Sequence, residues 1–198
     1  MKKGYIVLIV VAVVILSIFF WFRGSYNGMV SMSETVSSQW SNVENQYQRR
    51  LDLIPNLVNT VKGYAAHEQQ TLEDVVNARA KATQTQINFD QLDEAAIKKI
   101  NSTQGELSSA LSRLMAISES YPDLKASANF LQLQRTLNET EEQLAASRRT
   151  YNACVTDYNN SVMTFPSNIV ARIVNFKTKE VLTIPEEERA VPNVKNLF

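Results

Sequence analysis

Hydrophobic positions along this chain form one uninterrupted block followed by a series of helical stripes. Residues 5–22 read YIVLIVVAVVILSIFFWF, apolar except for Ser17. At about 1.5 Å per helical residue, such a run approaches the ~30 Å hydrocarbon core of a bilayer. Lys2 and Lys3 precede it and Arg23 follows it, while Tyr5 and Trp21 sit where aromatic rings favour the headgroup level. The pattern predicts a transmembrane anchor over residues 1–23. A cleaved signal peptide needs a shorter apolar region and a small-residue cleavage site. Phe19, Phe20, Trp21 and Phe22 occupy the place of that site, and no cysteine follows that could carry a lipid. Two lysines against one arginine place the N-terminus in the cytoplasm and the remaining chain on the periplasmic side of a bacterial inner membrane.

Beyond the anchor, apolar residues recur at three- and four-residue steps, the period of an α-helix with one buried face. Met29, Val36, Trp40, Val43, Tyr47 and Leu51 mark a first soluble helix, with Trp40 expected in the core. Arg49 and Arg50 suit a helix end, Asp52 an N-cap and Pro55 the first turn of a following helix, which predicts a reversal at 52–55. The alternative is one continuous helix kinked at the proline. A second stripe runs from Ile54 to about Lys81, residues 83–88 read as a connection, and a third stripe from about Asp90 stops at Tyr121-Pro122. A fourth and longest helix extends from there to Phe165-Pro166. Residues 169–176 are expected to dock on the bundle, and much of 177–198, with Pro185, Pro192 and three consecutive glutamates, to be extended or mobile. The expected fold is all-α: an N-terminal transmembrane helix, an antiparallel up-and-down four-helix bundle over 24–176, and an irregular C-terminal tail over 177–198.

Composition narrows the function. With 20 basic and 20 acidic residues, the chain has no net field to draw it to nucleic acid or to anionic lipid. Cys154 alone cannot close an intramolecular disulfide and reads as a small buried hydrophobe. Five glycines are few, as long helices require, and Gly24 and Gly28 fall where they could loosen the join between anchor and domain. Polar residues concentrate at Arg49, Arg50, Asp52 and Asn56, at His67-Glu68, and at Glu139, Glu141, Glu142, Arg148 and Arg149. A di-iron bundle needs two Glu-x-x-His motifs, and this chain has a single histidine. Nucleophile-elbow and glycine-rich phosphate motifs are missing. No catalytic, cofactor or metal residue is assigned, no cofactor is expected, and the arginines and carboxylates read as partly buried pairs that set helix register. Tyr-Asn recurs at 26–27, 151–152 and 158–159; in a bundle these tyrosines can pack between helices while the amides hydrogen-bond across them.

Several long segments resemble the LemA family: YNGMV at 26–30, Trp40, RRLDLIPNLVNTVKGYAAHE at 49–68, YPDLKA at 121–126, FLQLQRTLNETEEQLAASRRTYN at 130–152 and YNNSVMTFPSNIVA at 158–171. The C-terminal tail has no such match. The resemblance implies a bacterial protein with an N-terminal transmembrane helix, a soluble helical-bundle domain and no agreed biochemical activity. A similar protein implicated in magnetosome membrane formation extends the implication to membrane organisation. The combined expectation is a non-enzymatic, membrane-anchored interaction or scaffolding protein of the cell envelope, self-associating or binding other envelope proteins, with no nucleic acid and no small-molecule substrate. The alternative expectation is a ligand-binding envelope sensor.

Overall fold

The computed structural model describes residues 2–85 and 89–183. Among these residues the chain is helical, without strands: α1 (Lys2–Tyr64), α2 (Gln69–Gln84), a 3-10 turn at Phe89–Gln91, α3 (Glu94–Ile117), a one-turn α4 (Pro122–Lys125), α5 (Ala128–Met163) and α6 (Ser167–Val174). The expected connection at 83–88 lies partly outside the described residues, as does the tail from 184 onward.

The expected reversal at 52–55 is absent. α1 runs unbroken for 63 residues, including Gly24, Gly28, Asp52 and Pro55, so the anchor and the first two expected helices are one rod of about 95 Å at ~1.5 Å per residue. Asp52 does not cap a helix; its carboxylate accepts from the Gln48 amide 2.7 Å away on the same helix. Pro55 removes the N–H that would pair with the Leu51 carbonyl, and that loss normally breaks a helix. Here Arg79 of α2 donates its Nε to the Leu51 carbonyl at 3.0 Å, replacing the missing donor from a neighbouring helix. The chain turns instead at 65–68, immediately after α1, where His67 is exposed.

Two other boundaries moved for local reasons. The third helix starts at Glu94 because Asp93 caps it, accepting from the Ala96 N–H at 2.7 Å. The expected fourth helix is split: Pro122 opens the short α4, and the extended Ser127 then caps α5 through the Phe130 N–H. At the other end α6 stops at Asn175, whose left-handed φ of 63° an asparagine tolerates, and the chain folds back along α5.

Cross-helix contacts define the packing. Tyr47 meets Arg148, Arg50 meets Glu141 and Trp40 meets Tyr151, so α1 and α5 run antiparallel. Lys81 meets Glu106 and Asp74 meets Arg113, so α2 and α3 form an antiparallel hairpin. Buried side chains fall into two clusters. The one nearer the apolar run holds Met29, Val36, Trp40, Val43 and Tyr47 with Leu144, Tyr151, Val155 and Tyr158. The far one holds Leu51, Ile54, Leu57 and Val61 with Leu72, Val75, Leu107, Leu114 and Leu137. Trp40 is buried as expected, with 2% of its surface exposed. Residues 4–22 are different: of this apolar window none is buried, and Phe22 alone of its last residues packs against the near cluster.

If Arg79 substitutes for the N–H that Pro55 lacks, the two residues must be coupled. Arg79→Ala is expected to cost about 1–3 kcal/mol, the range for stranding a buried carbonyl. In a Pro55→Ala background, where residue 55 regains its own donor, most of that cost should vanish. Denaturant unfolding of the four variants measures the coupling, and equal costs in both backgrounds would reject it.

Candidate functional site

Two polar constellations stand out in an otherwise apolar interior. The first lies between the core clusters. Arg50 of α1, only 3% exposed, reaches Glu141 of α5 at 2.7 Å with Nε, Gln104 of α3 at 3.1 Å and Ser108 of α3 at 2.7 Å. On each helix the layer interrupts the apolar stripe at the same level, between Tyr47 and Leu51, between Ile100 and Leu107, and between Leu137 and Leu144. A buried guanidinium without its carboxylate is strongly unfavourable, so only the register that brings Arg50, Gln104 and Glu141 together is tolerated. The remaining expected polar residues behave as structural ones. Arg49 bonds Gln143 at 3.2 Å, while Arg148 bonds the Tyr47 hydroxyl at 2.9 Å and lies 5.4 Å from its ring centroid. Glu68 accepts from Tyr121 at 3.1 Å, tying the turn after α1 to the turn after α3 and raising the Tyr121 phenol pKa. Asn56, Glu139, Glu142 and Arg149 are exposed. Among the described residues no group of three or more His, Cys, Asp or Glu side chains is placed to hold a metal.

The second constellation is the pair of Tyr-Asn dipeptides on α5. Their amides do not bond across helices, as the sequence suggested, but grip the extended backbone of residues 177–183. Asn159 donates Nδ2 to the Lys179 carbonyl and accepts the Lys179 N–H, both at 2.8 Å. Asn152 does the same with Leu182, again at 2.8 Å twice. Tyr158 donates its hydroxyl to the Lys177 carbonyl at 2.9 Å and Tyr151 to the Glu180 carbonyl at 3.1 Å. Seven helical residues rise about 10.5 Å, and three extended residues span about 10 Å, so the two rungs fall in step. Neither the seven-residue spacing nor the amides alone revealed this, because the matching partner is backbone and leaves no mark in composition.

Side chains complete the strap. Leu182 is buried in the near core, Asn101 of α3 bonds Thr183 at 3.0 Å, and Lys179 lies 4.2 Å from the Phe89 ring centroid. Tyr151 also packs edge-on against Trp40 with ring centroids 5.7 Å apart, so one residue joins α1, α5 and the strap. The third dipeptide is separate: Tyr26 packs on Phe176 at 5.9 Å, and Asn27 is exposed. Beside the strap, α2, α3 and residues 180–183 line an open groove of about 1340 Å³. Four of the charged side chains that line it pair with each other, Lys81 with Glu106 and Arg113 with Asp74.

A long apolar N-terminal helix continuous with an all-helical domain, whose polar groups serve packing and register, defines the class. The LemA family model matches residues 39–196, and the chain belongs to the LemA family, as the segments at 49–68, 130–152 and 158–171 led one to expect. Similar curated proteins include the magnetosome proteins MamQ 1 and MamQ 2 of Paramagnetospirillum magneticum, each 30% identical in a match of 172 aligned positions that covers 78% of this chain and 63% of the relative. Protein LemA of Metamycoplasma hominis is 26% identical over 172 residues, 86% of this chain and 74% of that protein. The chain thus spans less than two thirds of the length of the MamQ relatives it matches.

Each asparagine holds one residue of the strap by two hydrogen bonds, so its loss is local. Asn152→Ala should cost the strap about 1–3 kcal/mol and raise hydrogen exchange at the Leu182 amide roughly tenfold to a hundredfold, with Asn159→Ala doing the same at Lys179. Unchanged exchange at both amides would show that the ladder holds nothing.

Burial first, and then the Glu180 carboxylate, push the Tyr151 phenol up to about 12, and burial raises Tyr158 as well. Both donate protons to carbonyls, so the folded state favours the neutral phenol. Since the Tyr151 value is raised above the ordinary 10.0, its contribution is complete below pH 10.0 and lost as pH climbs towards about 12. Phenolate absorbance should lose its highest-pH step in Tyr151→Phe; an unaltered titration curve would contradict the assignment.

Proposed function

We propose that this protein is a non-enzymatic, membrane-anchored interaction or scaffolding module of the bacterial cell envelope. The observation that carries the reading is the continuity of α1: the uncovered apolar run passes without interruption into the helix around which the domain's core is built. A partner bound to the domain is then held close to the bilayer, on the same helix that crosses it. In this reading residues 1–23 are the anchor in the inner membrane, 24–176 the helical domain on the periplasmic side, and 177–198 a C-terminal segment whose first residues strap α5. The antiparallel pairing of α1 with α5 and of α2 with α3 supports a four-helix bundle, in which α1 supplies one long member and the hairpin two shorter ones. The MamQ relatives, named as magnetosome proteins, favour a role in organising membrane, with self-association as the simplest means.

Crosslinking of the full chain in native membranes, read by mass spectrometry, tests the proposal. Reproducible crosslinks from the exposed helix faces to a second copy, or to another envelope protein, are expected. A chain that yields only intramolecular crosslinks and carries a bound small molecule would favour a ligand sensor instead.

A further inference from the structure

The end of the domain next to the apolar run carries an exposed hydrophobic surface that packing among the described residues leaves uncovered. α6 buries Val170 and Ala171 against the near core, yet its opposite side presents Ile169 and Ile173. Phe165, four residues before Ile169, is 80% exposed, Ile173 is 68% exposed, and Met163 at the end of α5 is 57% exposed. Ile169 and Ile173, four residues apart, share one face of α6, and Phe165 is exposed in the turn that leads into it.

Its height relative to the apolar run follows from contacts on the page. α6 packs on α1 as well as α5, and just beyond it Phe176 lies against Tyr26, one helical turn past Phe22. At about 1.5 Å per residue, Tyr26 is only about 6 Å beyond the end of the apolar run, within the headgroup zone that flanks the hydrocarbon core.

Charge points the same way. The chain is neutral overall, but among the described residues the acids avoid this end. The first acidic residue is Glu34, and none occurs between Asp157 and Glu180, whereas Arg23, Arg172, Lys177 and Lys179 all fall in these stretches. An apolar patch edged by cations and, among the described residues, free of carboxylates is the pattern of a helix lying in a membrane interface rather than of a protein–protein face.

We infer that residues 163–174 form a second membrane contact, in which Phe165, Ile169 and Ile173 enter the acyl–headgroup boundary beside the anchor while Arg23, Arg172 and Lys177 meet lipid phosphates. This rests on the reading of residues 5–22 as a membrane span, and it turns a single tether into a two-point seat. A lone helix leaves the domain free to tilt and spin; a lateral contact fixes which face looks away from the membrane.

The test uses the full-length protein in vesicles of phosphatidylcholine and phosphatidylglycerol. A nitroxide is attached at Leu8→Cys, Ile173→Cys or Glu139→Cys, each in a Cys154→Ala background, and its collisions with oxygen and with an aqueous nickel chelate are compared. Oxygen should dominate at 8 and at 173, and the nickel chelate at 139, which is exposed on α5 beside the far core. Nickel dominance at 173 with oxygen dominance at 8 overturns the second contact and leaves the anchor standing. Nickel dominance at 8 overturns the anchor and this inference together. Exclusion of both reagents at 173 shows that protein, such as a second copy, covers the face, and also overturns it.

Discussion

Everything in this molecule depends on α1 remaining a helix through Pro55. A proline in a helix interior withdraws one hydrogen bond and crowds the carbonyl four residues back, at a cost of about 3 kcal/mol or more. The Leu51 carbonyl that loses its partner is met by Arg79, a residue 28 positions away that reaches it only once α2 has folded back along α1. Continuity of the long helix is therefore a tertiary property. Without it the apolar run and the far core would belong to separately oriented pieces; with it, they are two ends of one lever.

The interior is organised along that lever in levels. Two apolar clusters stack end to end, separated by the Arg50, Gln104 and Glu141 layer. Long stripes at three- and four-residue steps can slide by a turn with little loss of apolar burial, so hydrophobic packing alone specifies register weakly. A buried cation with one carboxylate at the right height does not tolerate such a shift. The layer thus supplies uniqueness, whereas the clusters supply most of the driving force.

The strap uses a different logic. Asparagine offers one donor and one acceptor in the geometry of a peptide group, so Asn152 and Asn159 pair with extended chain as a neighbouring strand would. The tyrosines add hydroxyl donors from the preceding positions, and both rings reach back into the near core, that of Tyr151 against Trp40. Residues beyond the last helix thereby become part of the near core, which places Leu182 among residues of α1 and α5.

The sequence by itself determined the all-helical class, the apolar N-terminal run, the LemA relationship and most of the core, since each rests on local periodicity or on contiguous motifs. Trp40 could be assigned to the interior because helical spacing sets it on the same face as Val36 and Val43. What the sequence could not decide was whether Asp52 and Pro55 end a helix or sit inside one, because the deciding donor, Arg79, lies far along the chain. The division of the last long helix at Ser127 and the tie between α5 and residues 177–183 were hidden for related reasons. The first turns on a weak cap competing with strong helix formers, the second on backbone groups that every residue carries. Local pattern fixes which face of a helix is apolar; only the packed structure decides which distant polar group will satisfy a backbone left open.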